Sequence, residues 1–198
     1  AEDEAFKGGK RELVAEDYVY SLKRLFDPRL RSPNLYQLEG YIAGMDEALA
    51  KARKENRFDY DTPIEGLRTL DRYTYQVRLK QPNYNFMYYL AYCNITCAVA
   101  REVVELYGDK INEHPVGSGP FVLDSWTRDQ QVSLKANENY WGEGPHLDGV
   151  VFNVVPDDNT RVLNLESGTV DAAERIPFSQ VERMNQGDAA KVLVVDGS

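Results

Sequence analysis

Two cysteines and two histidines in 198 residues leave little material for disulfide or metal chemistry. Cys93 and Cys97 stand four apart, and two cysteines cannot make a disulfide framework. A metal site would need further ligands close by, and His114 and His146 are remote in sequence from the cysteines. Two buried thiols are the favoured reading, with an intramolecular disulfide in an oxidising compartment as the alternative. No apolar run approaches the ~20 residues that a membrane helix needs. The chain opens acidic, Ala-Glu-Asp-Glu, where a secretory leader would be basic. That opening fits mature protein or a cut within a longer chain, and carries no argument for the cytoplasm.

Positive charge is also scarce, most of all late in the chain. Residues 1–113 hold 17 Lys and Arg against 19 Asp and Glu, and residues 114–198 hold 6 against 13, which together give the net −9. An acidic chain without a basic stripe is a poor match for phosphate backbones or anionic lipid, so nucleic acid is not an expected partner. Hydrophobic residues at 42% and charged residues at 28% are ordinary for a globular protein with a sizeable core.

What is present alternates between helical and extended patterns. Val19, Leu22, Leu25 and Phe26 share one face of a helix over 14–26, which Asp27-Pro28 ends. Leu38, Ile42, Met45, Leu49 and Ala52 predict a second helix over 35–55. Strands are expected over 64–70 and 74–79, then a helix followed by irregular chain over 85–100, and a short helix over 102–107 stopped by an αL Gly108. Beyond Pro115 the pattern becomes mixed: a hairpin of 121–127 with 132–136, and an apolar run at 150–155 that reads as a strand buried on both faces. Then come a helix over 157–166, a short strand over 170–173, a helix over 179–184 and a last strand over 191–195. A domain boundary is expected near 112–118.

Several short blocks carry backbone devices. Gly117-Ser118-Gly119-Pro120 reads as a sharp crossing into a strand; it has no phosphate-loop lysine, so nucleotide binding is rejected. Trp141 reads as a packing anchor, with stacking on a ligand as the alternative, and Gly142 lets the chain turn beneath it. Asp157 or Asp158 would cap a helix that ends at Gly168, and strand–helix–strand predicts a right-handed crossover between parallel strands. His114 and His146 have no nucleophile partner in a recognisable turn, and no catalytic or metal constellation emerges.

The order of these blocks resembles one family. Ala15-Glu16-Asp17-Tyr18-Val19-Tyr20-Ser21-Leu22 is similar to its helix start, and His114-Pro115-Val116-Gly117-Ser118-Gly119-Pro120-Phe121 to its glycine turn. Asn137 to Gly142, Val154 to Arg161, and Leu165-Glu166-Ser167-Gly168-Thr169-Val170-Asp171 follow in the same sequence. The family is the extracellular solute-binding proteins of peptide and nickel ABC importers, solute-binding protein family 5. Val14 departs from it, standing where a capping threonine is usual, and the Gly8-Gly9-Lys10-Arg11 lead-in differs too.

The resemblance implies a mixed α/β fold, the central part of a periplasmic-binding-protein type II-like architecture with the family's extra domain. Residues 1–113 would be that extra domain, incomplete at its start, and 114–198 part of the first ligand-facing lobe. A second lobe would lie outside the chain. The resemblance further implies a periplasmic or membrane-anchored extracellular monomer that is not an enzyme and needs no cofactor. It would bind a peptide or another small molecule and deliver it to permease subunits; a sensor or chaperone-like binding module on the same fold is the alternative. The implied ligand edge follows Asp171, at Ala173, Glu174 and Arg175, with Tyr36 and Tyr41 reaching toward ligand from the extra domain.

Overall fold

The computed structural model describes residues 3–187 and 192. The strand expected over 191–195 lies, apart from Val192, outside the described residues. The chain divides into two compact units, one of 1–122 with 136–146 and one of 123–135 with 147–198.

The first unit is built around helix α1, Ala15–Arg24. Val14 has no side-chain oxygen to cap with, so half a capping box does the work: the Asp17 carboxylate accepts the Val14 N–H at 2.8 Å. Arg11 grips the same buried carboxylate with two hydrogen bonds of 2.5 and 2.6 Å. The apolar face of α1, Val19 and Leu22, joins Phe26, Leu38, Ile42, Met45, Leu49, Phe58, Ile64 and Leu67 in one core.

The helix expected over 35–55 is broken. A 3-10 turn, Leu35–Gln37, comes first, and helix α2 is only Met45–Glu55. Gly40 and Gly44 adopt φ of +85° and +77°, angles that L side chains rarely take and that interrupt a helical ladder. The predicted apolar stripe is nonetheless buried throughout, because Ile42 reaches the core from a bridge to Leu79 rather than from a helix.

Strands β1, Leu67–Asp71, and β2, Thr74–Val77, form the expected antiparallel pair. Backbone pairing extends past them: Ala43 N–H donates to Arg78 O at 3.0 Å, Gly66 N–H to Ala43 O at 2.8 Å and Arg78 N–H to Gly66 O at 2.8 Å. Gly66 sits at this junction without room for a side chain. A Cβ there would lie 2.5 Å from Arg78 O and 2.7 Å from both Ala43 N and Ala43 O.

The uncharged aromatic stretch forms two short helices, α3, Phe86–Ala91, and α4, Cys93–Thr96. The favoured thiol reading is corrected here. Cys93 and Cys97 are exposed and joined in a disulfide with a Cα–Cα distance of 4.8 Å, since one helical turn places i and i+4 side chains on the same face. Helix α5, Arg101–Tyr107, ends at Gly108, whose φ of +54° with ψ −122° falls outside the expected αL region. His114 stacks flat on Tyr107 with centroids 3.7 Å apart, which gives that histidine a packing role.

Two further expectations fail in this unit. Trp141 is 81% exposed and is no core anchor, its ring only tilted against Tyr140 with centroids 5.4 Å apart, although Gly142 does lie close beneath the Tyr140 ring. Gly117 and Gly119 show neither positive φ nor a crowded Cβ position, so the glycine turn is open. Asn137 holds it instead, through Nδ2 to Gly119 O at 2.8 Å and its N–H to Pro120 O at 2.8 Å.

Strands β3, Phe121–Thr127, β4, Gln131–Ala136, and β5, Gly149–Asn153, form a three-stranded sheet in that order. Asp129, at φ +59°, turns the β3–β4 hairpin. β5 runs antiparallel to β4, with Gln131 opposite Asn153 and Lys135 opposite Gly149. Here too the reading changes: β5 is an edge strand with Val151 54% and Phe152 57% exposed, so it is not buried on both faces. Helix α6, Asp158–Glu166, follows, capped by the Asp157 carboxylate on the Thr160 N–H at 2.7 Å. Gly168 turns with φ +72° as expected. Among the described residues the short strand over 170–173 and its parallel crossover do not form; the N–H groups of Thr169 and Val170 turn back to Asn164 O instead, at 2.9 and 3.2 Å. Helix α7, Phe178–Gln186, follows and buries Met184.

Candidate functional site

The segment after Asp171 is an exposed loop between α6 and α7. Ala173 is partly buried, and Glu174 and Arg175 are exposed. Arg175 takes φ +57°, an unusual angle for a residue with a long side chain, and such angles persist where surrounding contacts over-determine them. One such contact is visible. Arg161, on the first turn of α6, donates from Nη2 to Arg175 O at 3.4 Å, from Nη1 to Val155 O at 2.9 Å, and pairs with Asp158. A single planar guanidinium therefore joins the exit of β5, the start of α6 and the loop. Arg183 on α7 adds an ion pair to Glu166 on α6 at 2.7 Å, so both helices bordering the loop are linked.

Arg161 is a residue that the sequence blocks do not single out, although an arginine one turn past a capping aspartate is placed to reach back over its helix start. Pro177, at the N-cap of α7, sets the far end of the loop. The backbone of this loop, flanked by the small side chains of Ala172 and Ala173 and followed by one carboxylate and one guanidinium, can offer hydrogen bonds and charge of both signs to a small polar molecule.

Tyr36 and Tyr41 belong to the first unit and the loop to the second. Tyr36 lies on the 3-10 turn, is 72% exposed and accepts a hydrogen bond from Gln37 Nε2 at 3.2 Å. Tyr41 is partly buried, packs against the core and tilts onto Tyr89 with centroids 6.4 Å apart. Among the described residues, no group of three His, Cys, Asp or Glu is placed to hold a metal ion, and no helix is long and apolar enough to cross a membrane.

The mixed α/β architecture is that of periplasmic binding proteins. It is similar to an oligopeptide-binding protein, OppAIV, of Borrelia burgdorferi, with a TM-score of 0.75 and 24% identity, covering 89% of this chain and 35% of that one. OppA of Burkholderia pseudomallei gives a TM-score of 0.74 at 22% identity, covering 91% of this chain and 34% of that one. Residues 5–198 match the family described as bacterial extracellular solute-binding proteins, family 5 Middle, and the chain belongs to that family. It is also similar to the glutathione-binding protein GsiB of Escherichia coli K12, 34% identical over 191 residues. That alignment covers 92% of this chain and 37% of the relative, so the chain spans little over a third of the length of such relatives. These relatives are solute-binding proteins, not enzymes.

Proposed function

We propose that the whole protein is the substrate-binding component of an ABC importer, which binds di- or oligopeptides in the periplasm and hands them to membrane permease subunits. One observation carries most of this reading: a glutathione-binding protein, whose ligand is a tripeptide, is 34% identical across 92% of the chain. Likeness in fold to oligopeptide-binding proteins supports it. The protein works as a monomer without catalysis or cofactor, and nucleic acid is not among its partners. Residues 1–113 serve as the extra domain and 114–198 as part of the first ligand-facing lobe.

Ligand lies along the loop at Ala173, Glu174 and Arg175. An extended peptide offers backbone donors and acceptors as well as charged ends, and such segments are held by strand-like hydrogen bonds. Glu174 would face the amino end or a basic side chain, and Arg175 a carboxylate. Tyr36 and Tyr41 of the extra domain are the further ligand-binding residues of this proposal. Closure of two lobes around the ligand then selects the form that docks on the permease.

Calorimetry on the whole protein with reduced glutathione and with tri-alanine, beside native mass spectrometry of co-purified small molecules, tests this reading. A bound peptide is expected, with Glu174→Ala and Arg175→Ala each weakening binding at least tenfold. A co-purified ligand that is not a peptide, with no heat from either probe, overturns the peptide reading; unchanged affinity in both variants overturns the site. Residues 1–198 alone are expected to bind weakly or not at all.

A further inference from the structure

Cys93 and Cys97 are the chain's only cysteines, and no role in ligand binding touches them. Both are exposed, so a thiolate in solution can reach the bridge without opening the core. Only three residues separate them, and the entropy removed from an unfolded chain grows with the length of the closed loop, so this bridge stabilises the fold less than almost any other could. Exposed bridges of this kind are the reducible ones. No charged side chain occurs between Lys80 and Arg101, so no nearby carboxylate in that stretch repels an incoming thiolate.

The bridged turn is tied to the interior. Ile95, within it, is 3% exposed and belongs to the core. Thr96 is buried, and its Oγ1 donates to Leu90 O at 2.7 Å and to Tyr92 O at 3.2 Å. Helix α4 is a single turn whose flanks leave helical angles, with ψ of 103° at Tyr92 and 129° at Cys97. A helix that short has no cooperative reserve of its own, so the covalent link adds to the restraint that Ile95 and Thr96 supply.

We propose that Cys93–Cys97 is a reversible thiol–disulfide exchange site for low-molecular-weight thiols, and that its oxidation state sets the order of the α4 turn. The thiolate of a small thiol attacks one Sγ, forming a mixed disulfide and releasing the other cysteine as a thiolate, which takes a proton from water. A second small thiol then attacks the small-molecule sulfur of the mixed disulfide. The second cysteine leaves as a thiolate, and the two small thiols end as one disulfide. The protein bridge is thereby reduced by two electrons and the thiol pair oxidised by two. The reverse reaction with the small disulfide restores the bridge.

The whole protein is equilibrated in buffers of reduced and oxidised glutathione spanning a wide ratio, acid-quenched, alkylated and weighed intact. A mass gain of two alkyl groups, rising through a midpoint within the range and reversing when oxidised glutathione is added back, is expected. A bridge that stays closed at every ratio, or cysteines that stay free under oxidised glutathione, overturns the proposal. Amide exchange of 86–99 in both forms tests the coupling. Faster exchange at Ile95 to Val99 after reduction, with the α1 amides unchanged, is expected, and identical exchange overturns that half. Cys93→Ser/Cys97→Ser should match the reduced form. Exchange is covalent and ligand capture is not, so the double serine variant should bind glutathione or tri-alanine as the parent does. Failure of peptide binding therefore leaves the redox result standing, and the converse holds.

Discussion

Tyr60 donates its phenolic hydrogen to the carboxylate of Asp27 at 2.7 Å, on a residue only 1% exposed just beyond the end of α1. Arg29 completes the arrangement through Nε and Nη2 and through its backbone N–H. Burial pushes the Asp27 carboxyl up, but the hydrogen bonds from Arg29 and Tyr60 outweigh it and leave the group below the ordinary carboxylate range. Burial, with the Asp27 carboxylate beside it, pushes the Tyr60 phenol well up, so the phenol stays a donor at any working pH.

Tyr60→Phe removes one hydrogen bond to a charged group and should cost about 1.5–3 kcal/mol at pH 7. Because the folded carboxyl is depressed, its contribution is complete above the unfolded value of about 4 and is lost as pH falls through the folded value. Parent and variant should therefore converge in urea midpoint as pH drops below about 4. A gap that stays constant with pH would mean that the loss came from packing alone.

Gly66→Ala forces a methyl group against three backbone atoms that cannot swing aside. About 1–3 kcal/mol of destabilisation, or more, is expected from such overpacking. Gly117→Ala, whose Cβ would meet nothing within 4 Å, should shift stability by about 0.5 kcal/mol or less. Thermal unfolding of the two variants side by side checks the contrast, which runs against the sequence reading that singled out Gly117.

Ser21 is buried in α1, accepts the Val99 N–H at 2.8 Å and donates to Asp17 O at 2.7 Å. Ser21→Ala leaves that part-buried N–H unpaired, at a cost of about 1–3 kcal/mol. Amide exchange should quicken first at Val99, and equal protection there in the variant would show that another acceptor takes over.

Arg161→Gln keeps a polar side chain but removes the planar fork that reaches Val155 O, Asp158 and Arg175 O. Amides of 172–176 should exchange several-fold faster while those of β4 and β5 keep their protection. Uniform acceleration across the second unit would make Arg161 a general stabiliser rather than the restraint on this loop.

Apolar periodicity located α1, the β1–β2 pair, the β3–β4 hairpin, α6 and α7, because each is a local pattern whose caps and turns lie within a few residues: Asp157 with Thr160, Gly168, and Asp27-Pro28. It failed where the partner was remote. Leu38 and Ile42 carry a helical spacing, yet Gly40 and Gly44 break the helix and strand-like pairing with Arg78 and Leu79 takes over. The apolar run in β5 reads as doubly buried, but period alone does not determine what covers a strand. For the candidate site, the blocks led to the loop after Asp171, but nothing local to the loop could reveal the Arg161 brace or the left-handed Arg175.

By itself the sequence determined the family, through blocks kept in order, and the positions of the capped helices and the hairpins, through short-range hydrogen bonding and side-chain period. Only the tertiary structure decided the crowding at Gly66, the buried Tyr60–Asp27–Arg29 cluster and the restraint on Arg175. Each of these joins groups through geometry that neither residue type nor spacing encodes, because which backbone meets which is set by how the core closes, not by any one segment's own preference.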